Sequence, residues 1–484
     1  MNIAKEIDSW AQSPAVPFSI KFSDADIQLT QKLRHLAGKR LTCLALWQSR
    51  AVIAKFFYGV RAQQHAAKES VVLKALIKKG IRTPTLLCVY EQADCTVLLI
   101  EYIEDATSLA DWLKRGPDQS AFEKVILETT ALMFECHRAF FEIRDPHLDN
   151  FLTSKGNVYI IDAGDITQLS QPLNKENSLQ NIALLYAQLP VTHDVIAYQS
   201  LKKVMLDEGF VDVPNEKEWQ QSLIRQRRWR QKKFIDKKVF RDCTAYHCEQ
   251  SSSRFLVAKR EFFTDEVAQA LKNPDALIEQ GTLLKDGNTA TVARVDIAGE
   301  TYVLKRYNIK KRMRSFIRGF MWSRAAVSWR NGLLLEMLGI PTAQSYVMIE
   351  ERYGALRRRS YLLLEFISAP TAWDVFEDKQ FNEQDRSDWA KKIFELFMLL
   401  KRNQISHGDL KAQNILCSKQ GAFFIDLDGL QSGLPYKKFL QRYKKDVQRF
   451  EVSWGEFGGL PKLFKKNATQ VAKNSKGLEE TLKS

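Results

Sequence analysis

One set of intervals occurs twice in this 484-residue chain and limits what it can fold into. Asp409 is followed five residues on by Asn414, and Asn414 twelve residues on by Asp426. Asp145, Asn150 and Asp162 repeat both intervals. In each copy the first acid and the amide lie in a polar loop, and the last acid ends an apolar run, Phe424-Ile425-Asp426 or Val158-Tyr-Ile-Ile-Asp162. A carboxylate suits the neighbourhood of an acceptor hydroxyl. An amide oxygen and a strand-end carboxylate suit a divalent metal bridging phosphates, and Lys411, two residues after Asp409, supplies a cation for the transferring phosphate. Phosphoryl transfer asks a protein for this kind of positioning and charge and for little covalent chemistry. The run His407-Gly408-Asp409-Leu410-Lys411-Ala412-Gln413-Asn414 with Asp426 is far more restrictive than any single Asp-to-Asn interval. The plainer alternative is a polar loop between a helix and a hairpin.

The order of elements upstream also repeats. The runs Leu41–Trp47 and Ala51–Phe57 read as a hairpin carrying Lys55, followed by a helical stretch, Ala66 to Lys79, with Glu69 on it. Gly80 and Pro84 stop that helix, and an apolar strand ending Glu101-Tyr-Ile comes next. In the second half a hairpin over Thr291–Tyr307 carries Lys305. A helix there stops at Gly339-Ile340-Pro341, and a strand ends Glu365-Phe-Ile. Self-similarity at about 260 residues means a duplicated domain, not a solenoid. The predicted division is a first domain at 1–245, a polar, Ser-rich linker at 246–258, a second domain at 259–470 and a flexible tail at 471–484.

The formal charge of +15 is clustered and points to an anionic partner: anionic lipid, phosphorylated sugar or nucleic acid. Arg225–Arg241 is dense in Arg and Lys with Trp229 and Phe234 between them. It reads either as a basic helix of the first domain or as a contact for an anionic surface. Lys305–Arg324 mixes Lys310, Lys311, Arg312, Arg314 and Arg318 with Phe316, Ile317, Phe320, Met321 and Trp322. That segment suits either a lipid interface or a core helix with a solvated face. Arg357-Arg358-Arg359 joins such a face or tips a hairpin. No apolar run reaches membrane-spanning length, and Met1–Trp10 lacks the pattern of a signal peptide. Seven cysteines without zinc-type spacing are expected to be reduced, packed thiols.

The second half, from about residue 275 to 450, resembles the lipopolysaccharide core kinases, the Kdo/heptose kinases. The resemblance rests on Lys305, Ser323–Trp329 running into Leu338-Gly-Ile-Pro-Thr342, His407–Asn414 and Ile425-Asp-Leu-Asp428. Residues 40 to 200 resemble the same family more weakly. The resemblance implies an α+β chain of two tandem protein-kinase-like bilobal domains, each with a small β-rich N-lobe and a helical C-lobe. It implies ATP and Mg2+ as cofactors. By the same resemblance Lys305 binds the α/β-phosphates, Asp409 is base or orienter, and Asn414 and Asp426 hold the metal. Lys55, Asp145, Asn150 and Asp162 match by position in the first half, and Glu69 is placed to pair with Lys55.

There are departures. Ile143 and His147 stand where the second half has His407 and Lys411. In the second half, counting back from Gly339 puts Ser328 at the helix-Glu position, and Glu336 is on the wrong spacing. Neither half has a clean Gly-rich loop, and Asp286-Gly287-Asn288-Thr289 is a weak candidate. No A-P-E-like segment follows Asp426, which argues for a small acceptor. The leading expectation is phosphorylation of a heptose or Kdo hydroxyl of the lipopolysaccharide core or its lipid-linked precursor. The enzyme is expected in the cytoplasm, peripheral at the inner membrane face, with no nucleic acid partner. The alternatives are a kinase for an aminoglycoside-like or choline-like molecule, or a tandem whose first half is a regulatory pseudokinase.

Overall fold

The computed structural model describes residues 3–13, 17–22, 25–308, 322–378, 380–455 and Phe464. The expected tail at 471–484 and most of the basic–aromatic segment, 309–321, lie outside these residues. The fold is mixed α+β and divides into two compact units. One comprises Met1–Gln188 with Asp194–Leu223, the other Leu189–His193 with Ile224–Ser484.

In the first unit six antiparallel strands lie in the order Phe18–Phe22, Ala25–Leu36, Arg40–Trp47, Arg50–Tyr58, Cys95–Glu101, Leu86–Gln92. Alternation decides its faces. Leu41, Cys43, Ala45, Val52, Ala54 and Phe56 are buried in one cluster with Ile3, Ile7 and Trp10 of the helix Ile3–Gln12. Lys55, between Ala54 and Phe56, therefore points to the other face. There the helix Ala62–Lys78 buries Ala66, Glu69, Val72, Leu73 and Leu76. A helical part follows, built on Gln119–Arg138, Lys175–Tyr186 and Asp194–Asp207, with the hairpin Phe151–Ser154/Asn157–Ile160 beside it.

The second unit has seven antiparallel strands: Tyr246–Gln250, Arg254–Lys259, Ser345–Tyr353, Leu356–Glu365, Glu300–Tyr307, Ala290–Ile297, Thr282–Asp286. One face packs against the short helices Asp265–Ala270 and Pro274–Gln280 through Val267, Leu271 and Ile278. The helix Arg324–Leu338 packs through Trp329, Leu334 and Leu335 into a larger core that includes Met348 and Leu362 of the sheet. That core continues into the helix Glu383–Arg402 and the hairpin Ile415–Ser418/Gly421–Phe424.

Residues 246–258 are not a linker. They form the edge hairpin Tyr246–Gln250/Arg254–Lys259, and its inner strand pairs with Ser345–Tyr353. The Ser-rich part is the turn. The basic stretch after Ile224 also belongs to the second unit. Arg227 is buried and donates to Asn403 Oδ1 at 3.1 Å, and Arg228 donates to Gln404 Oε1 at 2.7 Å. These guanidinium groups are thus committed within the protein, although Trp229 remains 43% exposed. Arg357 and Arg359 pair with Glu350 and Asp275 near the hairpin tip. All seven cysteines are free thiols. No helix among the described residues is long and apolar enough to cross a membrane.

Candidate functional site

In the second unit Lys305 is carried on the strand Glu300–Tyr307, opposite Val292 and Leu362. Its ammonium lies 2.5 Å from Asp426 Oδ1 and 4.8 Å from the centroid of the Tyr307 ring. Burial opposes the lysine charge, but Tyr307, Asp426 and Asp428 outweigh it and hold the pKa above the ordinary lysine value. Burial likewise works against the Asp426 carboxylate, and Lys305 reverses the outcome, keeping it below the usual range.

Asp426 follows the strand Gly421–Phe424 and takes φ 63°, ψ 64°. This left-handed conformation is unfavourable for a residue with a Cβ and concentrates at functional sites. The surroundings enforce it. Ile425 N–H donates to the Asn414 carbonyl at 3.0 Å, and Phe424 N–H to the Pro341 carbonyl at 3.1 Å. Asn331 Nδ2 donates to the Leu427 and Leu430 carbonyls just beyond.

The loop bearing Asp409 is tied to that strand. His407 is fully buried, with Nε2 3.2 Å from the Ile425 carbonyl, and burial pushes its pKa down to about 4, leaving it neutral. Gly408 has φ 86°, and a Cβ there would lie 2.1 Å from the Gly429 carbonyl oxygen, so only glycine fits. Asp446, buried on the helix Tyr436–Val452, accepts the Gly408 N–H at 2.9 Å. Asp409 itself faces Lys411 Nζ at 3.0 Å and Arg449 Nε at 3.7 Å. Asn414 Nδ2 donates to the Asp409 carbonyl at 2.7 Å and to its carboxylate at 3.3 Å. Its amide oxygen is then the atom that suits a metal.

Among the described residues Lys305 is paired with Asp426 and not with a carboxylate of the helix Arg324–Leu338. Glu336 is turned to Lys259 at 2.7 Å, and Ser328 Oγ lies 2.9 Å from Tyr307 Oη. What the helix Arg324–Leu338 brings instead is Arg324. Its Nε donates to Asp428 Oδ2 at 2.6 Å, its Nη1 to the Thr289 carbonyl at 3.2 Å, and its guanidinium stands 4.9 Å from the Tyr307 ring centroid. One side chain thereby links the helix start, the turn Gly287–Thr289 and the loop after Asp426. Asp428 is raised in pKa by burial beside Asp426. Arg324 stood in the predicted basic segment and Asp428 in the quoted motif, but their pairing was not foreseen. Asp446 and Arg449 were missed.

The first unit repeats much of this geometry. Lys55 Nζ lies 2.5 Å from Glu69 Oε1 and 3.2 Å from Asp162 Oδ1. Asp162 takes φ 63°, ψ 60°. Ile161 N–H donates to the Asn150 carbonyl at 2.9 Å, and Ile160 N–H to the Arg82 carbonyl at 3.0 Å. Thr83 Oγ1 caps the Ile160 carbonyl at 2.8 Å, as Thr342 Oγ1 caps that of Phe424 at 2.8 Å. Asn150 Nδ2 donates to the Asp145 carbonyl at 3.4 Å. His147 differs from Lys411 in its neighbour: its Nδ1 faces Asp149 at 3.0 Å.

Among the described residues no group of three or more His, Cys, Asp or Glu side chains forms a ready-made metal cage. Mg2+ does not need one. It favours one or two protein oxygens completed by water and substrate phosphates, and in the second unit Asp426 and the Asn414 amide oxygen fit that requirement. Residues 275–471 match the family model of the lipopolysaccharide kinase (Kdo/WaaP) family. No curated protein matches the chain.

Proposed function

We propose that this chain is a tandem of two protein-kinase-like bilobal domains, the second of which transfers the γ-phosphoryl group of ATP to a sugar hydroxyl. The acceptor is a heptose or Kdo of the lipopolysaccharide inner core or its lipid-linked precursor, met at the cytoplasmic face of the inner membrane. The observation that carries this reading is the contact of Lys305 with Asp426, beside a loop that holds Asp409 and Asn414. The family match over 275–471 supports the acceptor class.

In this reading Lys305 moves from Asp426 to the α/β-phosphates when the nucleotide enters. Asp426 and Asn414 would hold Mg2+, which would supply charge neutralisation for the phosphates. Lys411 exchanges Asp409 for the γ-phosphate, leaving Asp409 to orient the acceptor hydroxyl and receive its proton. Buried His407, Gly408 and Asp446 fix the backbone beneath Asp409, so little reorganisation is left for the chemical step. The net formal charge of +15 favours an anionic saccharide over a cationic aminoglycoside.

Mass spectrometry of lipopolysaccharide core from cells lacking this chain tests the proposal. A phosphate should be missing, restored by the native chain and not by Asp409→Ala. An unchanged core would refute the acceptor.

A further inference from the structure

The two copies differ in charge around the acid at the metal position. In the second unit Val292 lies opposite Lys305, and Ala290 precedes Val292 by two. In the first unit Thr42 lies opposite Lys55, and the residue two before it is Arg40. Arg40 therefore occupies the place of Ala290, and its Nη1 lies 3.6 Å from Asp162 Oδ1. Two residues after Asp426 the second unit has Asp428, whereas two after Asp162 the first has Gly164. Directly against the acid Arg40 replaces Ala290, and Asp428, which pairs with Arg324 in the second unit, is replaced by Gly164, while Glu69 on Lys55 has no counterpart among the described residues of the second unit. Asp162 now faces Lys55 at 3.2 Å and Arg40 at 3.6 Å, and Lys55 is also held by buried Glu69 at 2.5 Å. Arg34 adds its charge to the same carboxylate.

This arrangement fits a divalent metal poorly. An ion at Asp162 would sit close to two fixed cations at partly buried positions, where like-charge repulsion is weakly screened. The same cations suit a phosphate chain directly, and a guanidinium gives paired donors to phosphate oxygens.

We infer that the first unit binds the polyphosphate tail of a nucleoside triphosphate through Lys55 and Arg40 without a divalent metal. The inference rests on the proposed kinase-like reading of that unit. Arg40 leaves Asp162 for the phosphates, taking the charge-neutralising place that Mg2+ fills in the second unit. With no metal and with His147 in place of Lys411, the first unit holds nucleotide and does not transfer its phosphate.

The test uses the full chain carrying Lys305→Met and Asp426→Ala, which together remove the proposed phosphate cation and metal ligand of the second site. Binding of a fluorescent ATP analogue is titrated in EDTA and in Mg2+. Binding in EDTA should be as tight as in Mg2+, inorganic tripolyphosphate should compete, and Arg40→Ala should weaken it at least tenfold in EDTA. Arg40→Lys, which keeps the charge, should retain most of the affinity and controls for folding. Binding seen with Mg2+ and lost in EDTA would overturn the inference while leaving the kinase-like reading intact. No binding under either condition, with the fold retained, would overturn both.

Discussion

The Lys305 ammonium lies 2.5 Å from Asp426 Oδ1, a contact that joins the sheet of the second unit to the acid after the strand Gly421–Phe424 across 121 residues of chain. With both groups largely shielded, the pair keeps each ionised before any nucleotide arrives. The site is therefore charged and ordered in advance, which is the condition for electrostatic catalysis.

Lys305→Met should remove the cation proposed to bind phosphate and take the Lys305 ammonium away from Asp426. Initial-rate kinetics are expected to show kcat/KM for nucleotide falling by on the order of 10²-fold or more. Retained kcat/KM would exclude Lys305 from phosphate binding.

Arg324 donates to Asp428 and the Thr289 carbonyl, and its charge also acts on Asp426. Arg324→Ala should loosen the loop after Asp426 and raise the Mg2+ concentration needed for half-maximal rate several-fold, with partial rescue by Arg324→Lys. A Mg2+ dependence identical to that of the native chain would reduce Arg324 to a packing role.

Asp446→Leu leaves the partly buried Gly408 N–H without its Asp446 acceptor, an expected destabilisation of about 1–3 kcal/mol. Asp446→Asn keeps an acceptor oxygen and should recover most of that loss in urea unfolding. Equal loss in both variants would contradict the hydrogen-bond account.

The buried His407 makes stability pH-dependent. Its folded pKa, pushed down to about 4, is below the unfolded value of about 6.5. As pH falls the unfolded chain takes up the proton first, so stability is level above about pH 6.5 and declines toward pH 4. Between pH 7 and pH 5 this group alone should remove about 2 kcal/mol. His137, buried in the first unit and also depressed to about 4, acts in the same direction. Urea melts of His407→Asn should show a shallower pH dependence than the native chain, and an unchanged slope would rule His407 out as its source.

The nearness of Lys305 to Asp426 and of Asp409 to Asn414 was legible because the residues recur at fixed intervals or on a strand with a readable face. The pairing of Lys55 with Glu69 was legible for the same reason, since sheet alternation and one helix turn set both directions. Arg324–Asp428, Asp446–Gly408 and Arg40–Asp162 were not, because each depends on the relative register of elements far apart in sequence. The hairpin at 246–259 was mistaken for a linker because an edge strand tolerates polar residues such as His247 and Glu249. The basic stretch was assigned to the first domain because its sequence precedes the polar turn, whereas Arg227, buried against Asn403, belongs with the second unit.

The most direct measurement is transfer of radiolabelled phosphate from ATP to purified core saccharide by the full chain, its Asp426→Ala variant and its Asp145→Ala variant. The account predicts that Asp426→Ala abolishes transfer to the acceptor and that Asp145→Ala leaves it. Transfer surviving Asp426→Ala would contradict it.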